Sequence, residues 1–524
     1  MIGGGIAGIV TALELLEGGQ SVILIDSDKR DRFGGLALWA FGGMALIDTP
    51  EQRRMGVKDS PALALQDWIR FGELEADEQW PLAWAKCYAE ESHALVYEWL
   101  KSLGLKFMPA VNLVERGESI KGNTVARYHI LWGTGRVLVE TLIRRLLDHP
   151  QREKLLVLHQ HRAIDIICRD GVTTGCHGID ENSDQPFSVQ ADHTIVATGG
   201  FNGTTENVKK NWPARWPGPP QRMLNGACPL SDGAIHRSIA GKNGQLSHLD
   251  DMWNYAAGIP HPQPHFEGHG LSLIPCKTSL WLSPDGHPLG PAPMVTGFDT
   301  RQLCKQVAEY PYTWQVLNWK IAKKELAISG AEHNPRILNH QFARFLKDLL
   351  LGNTRLVNQM LMESPDFIAA DNWQELAKKM NRLSQEDRID GSRLRALAED
   401  YDRALADPSR HGEYPQIGRI QEIRRWRTDK LRTCNLQAIG EKKAGPLIAI
   451  RLHFISRKSL GGLQTDLQGR VLSQQGEVMP GLYAVGEAAG FGGGGASGKR
   501  SLEGTFLSGC ILTARKTAAA ICRH

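Results

Sequence analysis

The sequence predicts an α/β fold: a parallel-sheet domain of discontinuous sequence, with a smaller α+β domain inserted in it. Three observations carry that prediction. Gly3, Gly5 and Gly8 form a tight turn between an apolar start and a helix-periodic run, which is followed by the continuous apolar segment Val22-Ile23-Leu24-Ile25. Apolar strands ending in glycine recur at Ala197-Thr198-Gly199-Gly200-Phe201 and, far downstream, at Gly481-Leu482-Tyr483-Ala484-Val485-Gly486-Glu487. Between these lies a block of helical periodicity over 299–401, approached through Pro- and Gly-rich stretches. The expected division is 1–250 and 446–524 for the split domain and 251–445 for the insert.

In order, Met1-Ile2 reads as the end of a first strand and 6–16 as a helix, its apolar residues at helical spacing. Gly18-Gly19 stops it, and 22–25 is a strand apolar on both faces, as in a covered parallel sheet. Residues 61–103 read as helical, with Trp68, Trp80, Trp84 and Trp99 packing, and 135–147 as an amphipathic helix. Strands are expected at 155–158, and 163–168 and 194–197 are expected to continue the same sheet. Residues 212–229 and 260–293 read as irregular loops. Within the insert 322–327, 341–351 and 393–405 are the clearest helices. Strands return at 447–454 and 482–485, and a helix over 504–521 closes the chain.

With 524 residues, two or three domains are expected. The 42% apolar and 23% charged residues are ordinary for a globular protein, and a net charge of +4 says little about partners. There is no apolar run of the roughly 18–20 residues that span a bilayer. No signal peptide is expected ahead of the glycine loop, and there is no basic tail or RNA-binding module. Nine cysteines without C-x-x-C spacing, among them Cys87, Cys168, Cys228 and Cys510, read as reduced thiols of a cytoplasmic protein. No metal is expected from the histidine spacing, and His248, His265, His269 and His453 are individually uninformative. Only two residues precede the glycine loop, where a strand of about five or six is typical, which predicts that the natural chain starts upstream.

Gly3-x-Gly5-x-x-Gly8 after a strand and before a helix is the Rossmann context in which the backbone approaches a pyrophosphate at the positive helix end. Asp26, closing the next strand, is placed to accept hydrogen bonds from the adenosine ribose. This turn alone does not separate FAD from NAD; the two later segments do. The segments at 191–201 and 481–487 resemble the second and third flavoprotein signatures, and the resemblance of the third implies that Glu487 binds the flavin ribityl hydroxyls. The helix starting near Gly504-Thr505 is expected to aim its N–H groups at the flavin pyrimidine ring, stabilising reduced flavin by about 0.3–1 kcal/mol.

These segments, with Phe33-Gly34-Gly35, Phe41-Gly42-Gly43, Leu460-Gly461-Gly462-Leu463-Gln464-Thr465-Asp466, Gly486-Glu487-Ala488-Ala489-Gly490 and Leu502-Glu503-Gly504-Thr505-Phe506, carry a resemblance along nearly the whole chain. The chain resembles FAD-binding dehydrogenases of the fumarate reductase and 3-ketosteroid 1-dehydrogenase superfamily. The resemblance implies a Rossmann-like FAD-binding domain, a substrate or capping domain inserted in it, and hydride transfer between flavin N5 and a C–C bond α,β to a carbonyl. The cofactor residues it implies are Gly3, Gly5, Ala7, Gly8, Asp26, Gly34, Gly35, Ala163, Gly199, Gly200, Gly486, Glu487, Gly504 and Thr505. FAD is expected to be non-covalent, because no flavin-attaching histidine stands near Gly34-Gly35, and an external electron acceptor is implied.

Fumarate reductases place a His-Thr pair where this chain has Arg457-Lys458-Ser459-Leu460, and an arginine where it has Arg500. Ketosteroid dehydrogenases place a tyrosine in the loop that here reads Gly492-Gly493-Gly494-Gly495. The candidate catalytic residues are therefore Arg500, Lys458 and Tyr312, the last drawn from Tyr255, Tyr310 and Tyr312 as a proton donor. The alternatives are a structural ion pair for Arg500 and core packing for Tyr312. Between Arg419 and Lys458 there are eleven Lys or Arg against three Asp or Glu: a solvated face or, if in the cleft, a preference for an anionic substrate. The leading expectation is a dehydrogenase of a 3-ketosteroid-like hydrophobic ketone. The alternatives are fumarate reductase-like reduction of a small unsaturated carboxylate and a non-catalytic flavin-binding protein.

Overall fold

The computed structural model describes residues 1–290, 294–500 and 502–523. Two compact units are formed: Met1–Pro213, Ala227–Trp253 and Arg457–His524 make the first, and Ala214–Gly226 with Asn254–Ser456 the second.

The centre of the first unit is a parallel sheet. Val22–Asp26 pairs with Leu155–His159, and Thr194–Val196 pairs with Val478–Ala484, both in parallel. Ile2 joins the halves, bridging in parallel to Ile25 on one side and Val196 on the other, so the residue before the glycine turn sits mid-sheet. The helix Ile6–Glu17 buries ten of its residues and packs on the closing helix Thr505–Ile521. Small residues on both helices, Ala7, Ala12, Ala514 and Ala518, are buried.

The expected helices at 135–147 and 504–521 appear as Thr134–Leu147 and Thr505–Ile521. The long helical stretch is divided into Pro61–Gly72, Gln79–Ser92 and, through a π-helical turn, Trp99–Ser102. One expectation is corrected. Residues 163–168 do not continue the parallel sheet but lie in an antiparallel meander, His161–Arg169, Val172–Asp180 and Gln185–Gln190. The reason is local: Asp170 and Gly171, both at positive φ, form a two-residue hairpin turn that returns the chain beside itself.

The second unit holds an antiparallel-rich sheet in the order Leu280–Leu282, Thr313–Asn318, Leu447–Ser459, Met252–Pro260, Gly270–Ile274, Ala327–Ile328. Phe367–Ala370 and Met223–Asn225 also pair with Leu447–Ser459. The Pro- and Gly-rich stretches thus contribute strands where loops were expected; 291–293 lie outside the described residues. Burial decides this, since Met223, Leu224, Leu271, Leu273, Leu280 and Leu282 are all hidden, and short apolar runs between breakers have strand length. Helices Trp319–Glu325, Phe342–Leu351, Trp373–Ser384 and Gly391–Ala406 account for the helical periodicity.

Candidate active site

A long cleft in the first unit is floored by the glycine turn. Its lining includes Gly3, Gly5, Ala7, Asp26, Gly34, Gly35, Ala163, Gly199, Lys458 and Glu487, ten of the seventeen residues singled out from the sequence. The three glycines of the turn are required for different reasons. Gly3 lies at φ +110°, and a Cβ there would stand 2.3 Å from the Ala197 carbonyl oxygen. At Gly8 a Cβ would stand 2.0 Å from the Gly3 carbonyl oxygen, so this glycine lets the helix lie against the turn. At Gly5 a Cβ would meet no described atom within 4 Å. Its smoothness therefore serves something outside the protein chain, and Gly5 is the N-cap of a helix that no side chain caps among the described residues. Free N–H groups at a helix N-terminus facing open space form an anion cradle.

Asp26 ends its strand at the cleft wall, 9% exposed. Burial raises its carboxyl from the usual 3.8 to about 6, against the hydrogen bond donated by the Asp28 amide. Gly34 and Gly35, both at positive φ, bring a second loop onto the turn, where the Gly34 amide donates to the Gly4 carbonyl at 3.0 Å. Asn202 is 1% exposed, and neither its Oδ1 nor its Nδ2 has a hydrogen-bond partner among the described residues. Thr198 Oγ1 is likewise buried and unpartnered, and both residues line the cleft. Orphaned polar groups of this kind offer hydrogen bonds to a polar ligand in the cleft.

Glu487 accepts hydrogen bonds from the Ser459 amide at 3.0 Å and hydroxyl at 3.4 Å. Gly200 lies just behind: a Cβ there would press on Ser459 Oγ at 2.1 Å and Glu487 Oε1 at 2.4 Å. Burial pushes the Glu487 carboxyl up and the Lys458 ammonium down, each partly countered by the other's charge. Lys458 Nζ rests 3.7 Å from the centre of the Phe506 ring, a cation–π contact at the start of the closing helix. Gly486 (φ +66°) and Gly504 (φ +95°) are behind the lining, close against Ala7 and the Ala45 amide. Thr505 spends its hydroxyl on the Leu502 carbonyl, while Phe506 and Leu507 face the cleft. The cleft thiols Cys228 and Cys510 are pushed by burial to about 11 and about 12, which keeps them protonated and inert.

Arg500 and Tyr312 are not among the cleft-lining residues. Arg500 donates from Nε to Glu73 at 3.1 Å and lies over the Phe71 ring, while its neighbour Ser501 lies outside the described residues. Tyr312 is in the second unit, where its hydroxyl donates to Glu386 at 2.7 Å. Burial, with Glu386 beside it, raises that hydroxyl to about 12. The lining also holds Asn202 and Ser231, which no sequence motif named, and Thr198, Arg457 and Phe506, which stood in motifs without an assigned role. Asn202 follows directly on the Ala197–Phe201 segment, and Arg457 lies within the strand Leu447–Ser459 beside Lys458; those adjacencies are the signals that could have assigned them.

A dinucleotide cradle between a glycine turn and a Gly-Glu segment defines a flavoprotein of the Rossmann type. The FAD binding domain family model matches residues 1–507, and the chain belongs to that family of FAD-binding oxidoreductases, with FAD as its cofactor. It is 39% identical over 98% of its length, and 94% of the other's, to a KsdD-like steroid dehydrogenase of Mycobacterium tuberculosis. Two solved structures share the fold. The 3-ketosteroid Δ1-dehydrogenase of Sterolibacterium denitrificans has a TM-score of 0.68 at 15% identity, over 100% of this chain and 98% of that one. A flavocytochrome c3 fumarate reductase has 0.69 at 18%, over 100% and 77%. Among the described residues no helix is long and apolar enough to cross a membrane.

Proposed function

We propose that this protein is an FAD-dependent dehydrogenase acting on the CH–CH bond beside a ketone, with a 3-ketosteroid-like hydrophobic ketone as substrate and an external acceptor for the electrons. The observation that carries the reading is near full-length similarity to a KsdD-like steroid dehydrogenase, joined to a cleft whose orphaned groups fit a dinucleotide. Bound there, FAD supplies a hydride acceptor. The residues of the chain do the rest. Gly3, Gly5, Gly8 and the helix beginning at Ile6 would hold the pyrophosphate, Asp26 the ribose, and Glu487 with Asn202 the flavin side.

Lys458, its Nζ held over the Phe506 ring, would lend positive charge to the bound flavin. Arg500, its guanidinium set by Glu73, is proposed as a cation for the substrate, and Tyr312, its hydroxyl donating to Glu386, is separately proposed as a proton carrier. The split domain 1–250 and 446–524, interrupted by the insert, is part of the same proposal. Nine unbonded thiols support a reducing, cytoplasmic setting.

The test is anaerobic. A saturated 3-ketosteroid is expected to bleach the flavin absorbance, and succinate is not. Bleaching by succinate alone would replace this reading with the small-carboxylate one, and bleaching by no ketosteroid, acyl thioester or carboxylate would sink it.

A further inference from the structure

Within the second unit, two segments bring four histidines and one carboxylate together. After strand Met252–Pro260 the chain turns through His261, His265 and His269 and re-enters the sheet as Gly270–Ile274. That strand pairs with Ala327–Ile328, which delivers Glu332 and His333 to the same place. His261 Nε2 stands 2.7 Å from Glu332 Oε1, His333 Nε2 3.5 Å from the same oxygen, and His265 Nε2 3.9 Å from Glu332 Oε2. Donor atoms of His261, Glu332 and His333 all lie within 4.8 Å of one another, as do those of His261, His265 and His269.

A glutamate–histidine ion pair explains His261 and Glu332 but not His333. The His333 ring is only 8% exposed, and neither of its nitrogens has a hydrogen-bond partner among the described residues. Both nitrogens of this buried imidazole therefore have capacity for a ligand that no described residue fills. A tetrahedral ion with bonds of about 2.0–2.1 Å sets its donors about 3.3–3.4 Å apart, and the separations to the Glu332 carboxylate bracket that spacing. Imidazole nitrogen and carboxylate oxygen are donors that suit zinc.

We propose that His261, Glu332 and His333, with His265 as fourth ligand, form a zinc(II) site that ties the 261–269 turn to the segment following Ala327–Ile328. His261 Nδ1 accepts a hydrogen bond from the Gln263 amide at 3.0 Å, so its proton is on Nε2, facing Glu332. Zinc at Nε2 moves that proton to Nδ1 and opens the Gln263 contact, with no proton lost from the ring. His269 stacks on His261 with ring centres 4.4 Å apart and holds its plane from the side. None of these residues lines the flavin cleft, and the proposal does not depend on the dehydrogenase reading.

The experiment takes the FAD-loaded protein, strips it with a chelator, and titrates zinc chloride against a chromophoric competitor. About one zinc per chain is expected, with a rise in melting temperature. His333→Ala and Glu332→Gln are each expected to weaken zinc by at least the roughly 10–100-fold that loss of a supporting group causes. His265→Ala, at a partly exposed position, is expected to weaken it while retaining its full complement of flavin, and so tests the site even if the buried variants fail to fold. Absence of stoichiometric zinc uptake, or unchanged uptake in His265→Ala, would overturn the proposal.

Discussion

The glycine turn offers a perturbation that separates folding from cofactor binding. Gly5 has φ −73° and ψ −179°, a conformation open to alanine, and no described atom lies within 4 Å of the Cβ it would gain. Two small effects on the flavin-free protein oppose each other in Gly5→Ala. Lower entropy of the unfolded chain stabilises by about 0.4–1 kcal/mol. Alanine is a poorer N-cap than glycine and costs up to roughly 1 kcal/mol. The net is expected within about 0.5 kcal/mol of zero by urea denaturation of the apoprotein. The methyl group instead fills the space assigned to the pyrophosphate. An overpacked contact costs about 1–3 kcal/mol, so FAD is expected to bind about 5–150-fold more weakly in a fluorescence-quenching titration. Gly8→Ala is the contrast: its Cβ would meet the Gly3 carbonyl at 2.0 Å, and the apoprotein itself should lose about 1–3 kcal/mol or more. Unchanged FAD affinity in Gly5→Ala, or a strongly destabilised apoprotein, would refute the placement of the phosphate at this helix end.

Asp26→Asn tests the raised carboxyl. An acid whose folded pKa is about 6 against 3.8 unfolded holds its proton more tightly when folded, so stability is fully present below pH 3.8 and falls as pH rises to about 6. At pH 8 the flavin-free Asn variant should therefore be more stable than the parent, by on the order of 3 kcal/mol, with the gain shrinking towards pH 5 in paired urea melts, while its FAD affinity drops. Lys458→Met keeps chain length over Phe506 but removes the charge; flavin content should hold, its potential should move to more negative values, and ketosteroid-driven bleaching should slow at least about tenfold. Tyr312→Phe should leave FAD affinity unchanged and slow the same bleaching by about 10²–10⁴-fold. An equal rate would return Tyr312 to a structural role, its hydroxyl on Glu386 and its ring under the Arg451 guanidinium at 5.9 Å.

The parts of the fold legible in the sequence are those specified by neighbours along the chain. The helix after Gly5, strand 22–25 and the closing helix each announce themselves through periodicity and a flanking glycine, and the structure places them within a residue or two. The meander was not legible, because an apolar strand such as 163–168 reads the same in either sheet until the turn at Asp170-Gly171 is counted. The strands at 223–225, 270–274 and 280–282 were hidden by the prolines and glycines around them, whose breaker signal outweighed short apolar runs that only burial across the sheet can stabilise.

The same division explains the sites. Glycines of the cradle are visible because backbone geometry forbids anything else at those positions, and that constraint is written residue by residue. Asn202 and the Lys458–Phe506 contact depend instead on which segments meet, and Phe506 lies 48 positions from Lys458 in sequence. The histidine cluster is the extreme case. His261 and Glu332 are 71 residues apart and join through a two-residue pairing of Leu273-Ile274 with Ala327-Ile328. The spacing of His261, His265 and His269 alone would suit one face of a helix, yet these residues occupy a turn between strands. Their convergence follows from the hairpin and the strand beside it, so a histidine pattern that looks idle along the chain acquires its carboxylate and its buried fourth imidazole only when the sheet closes.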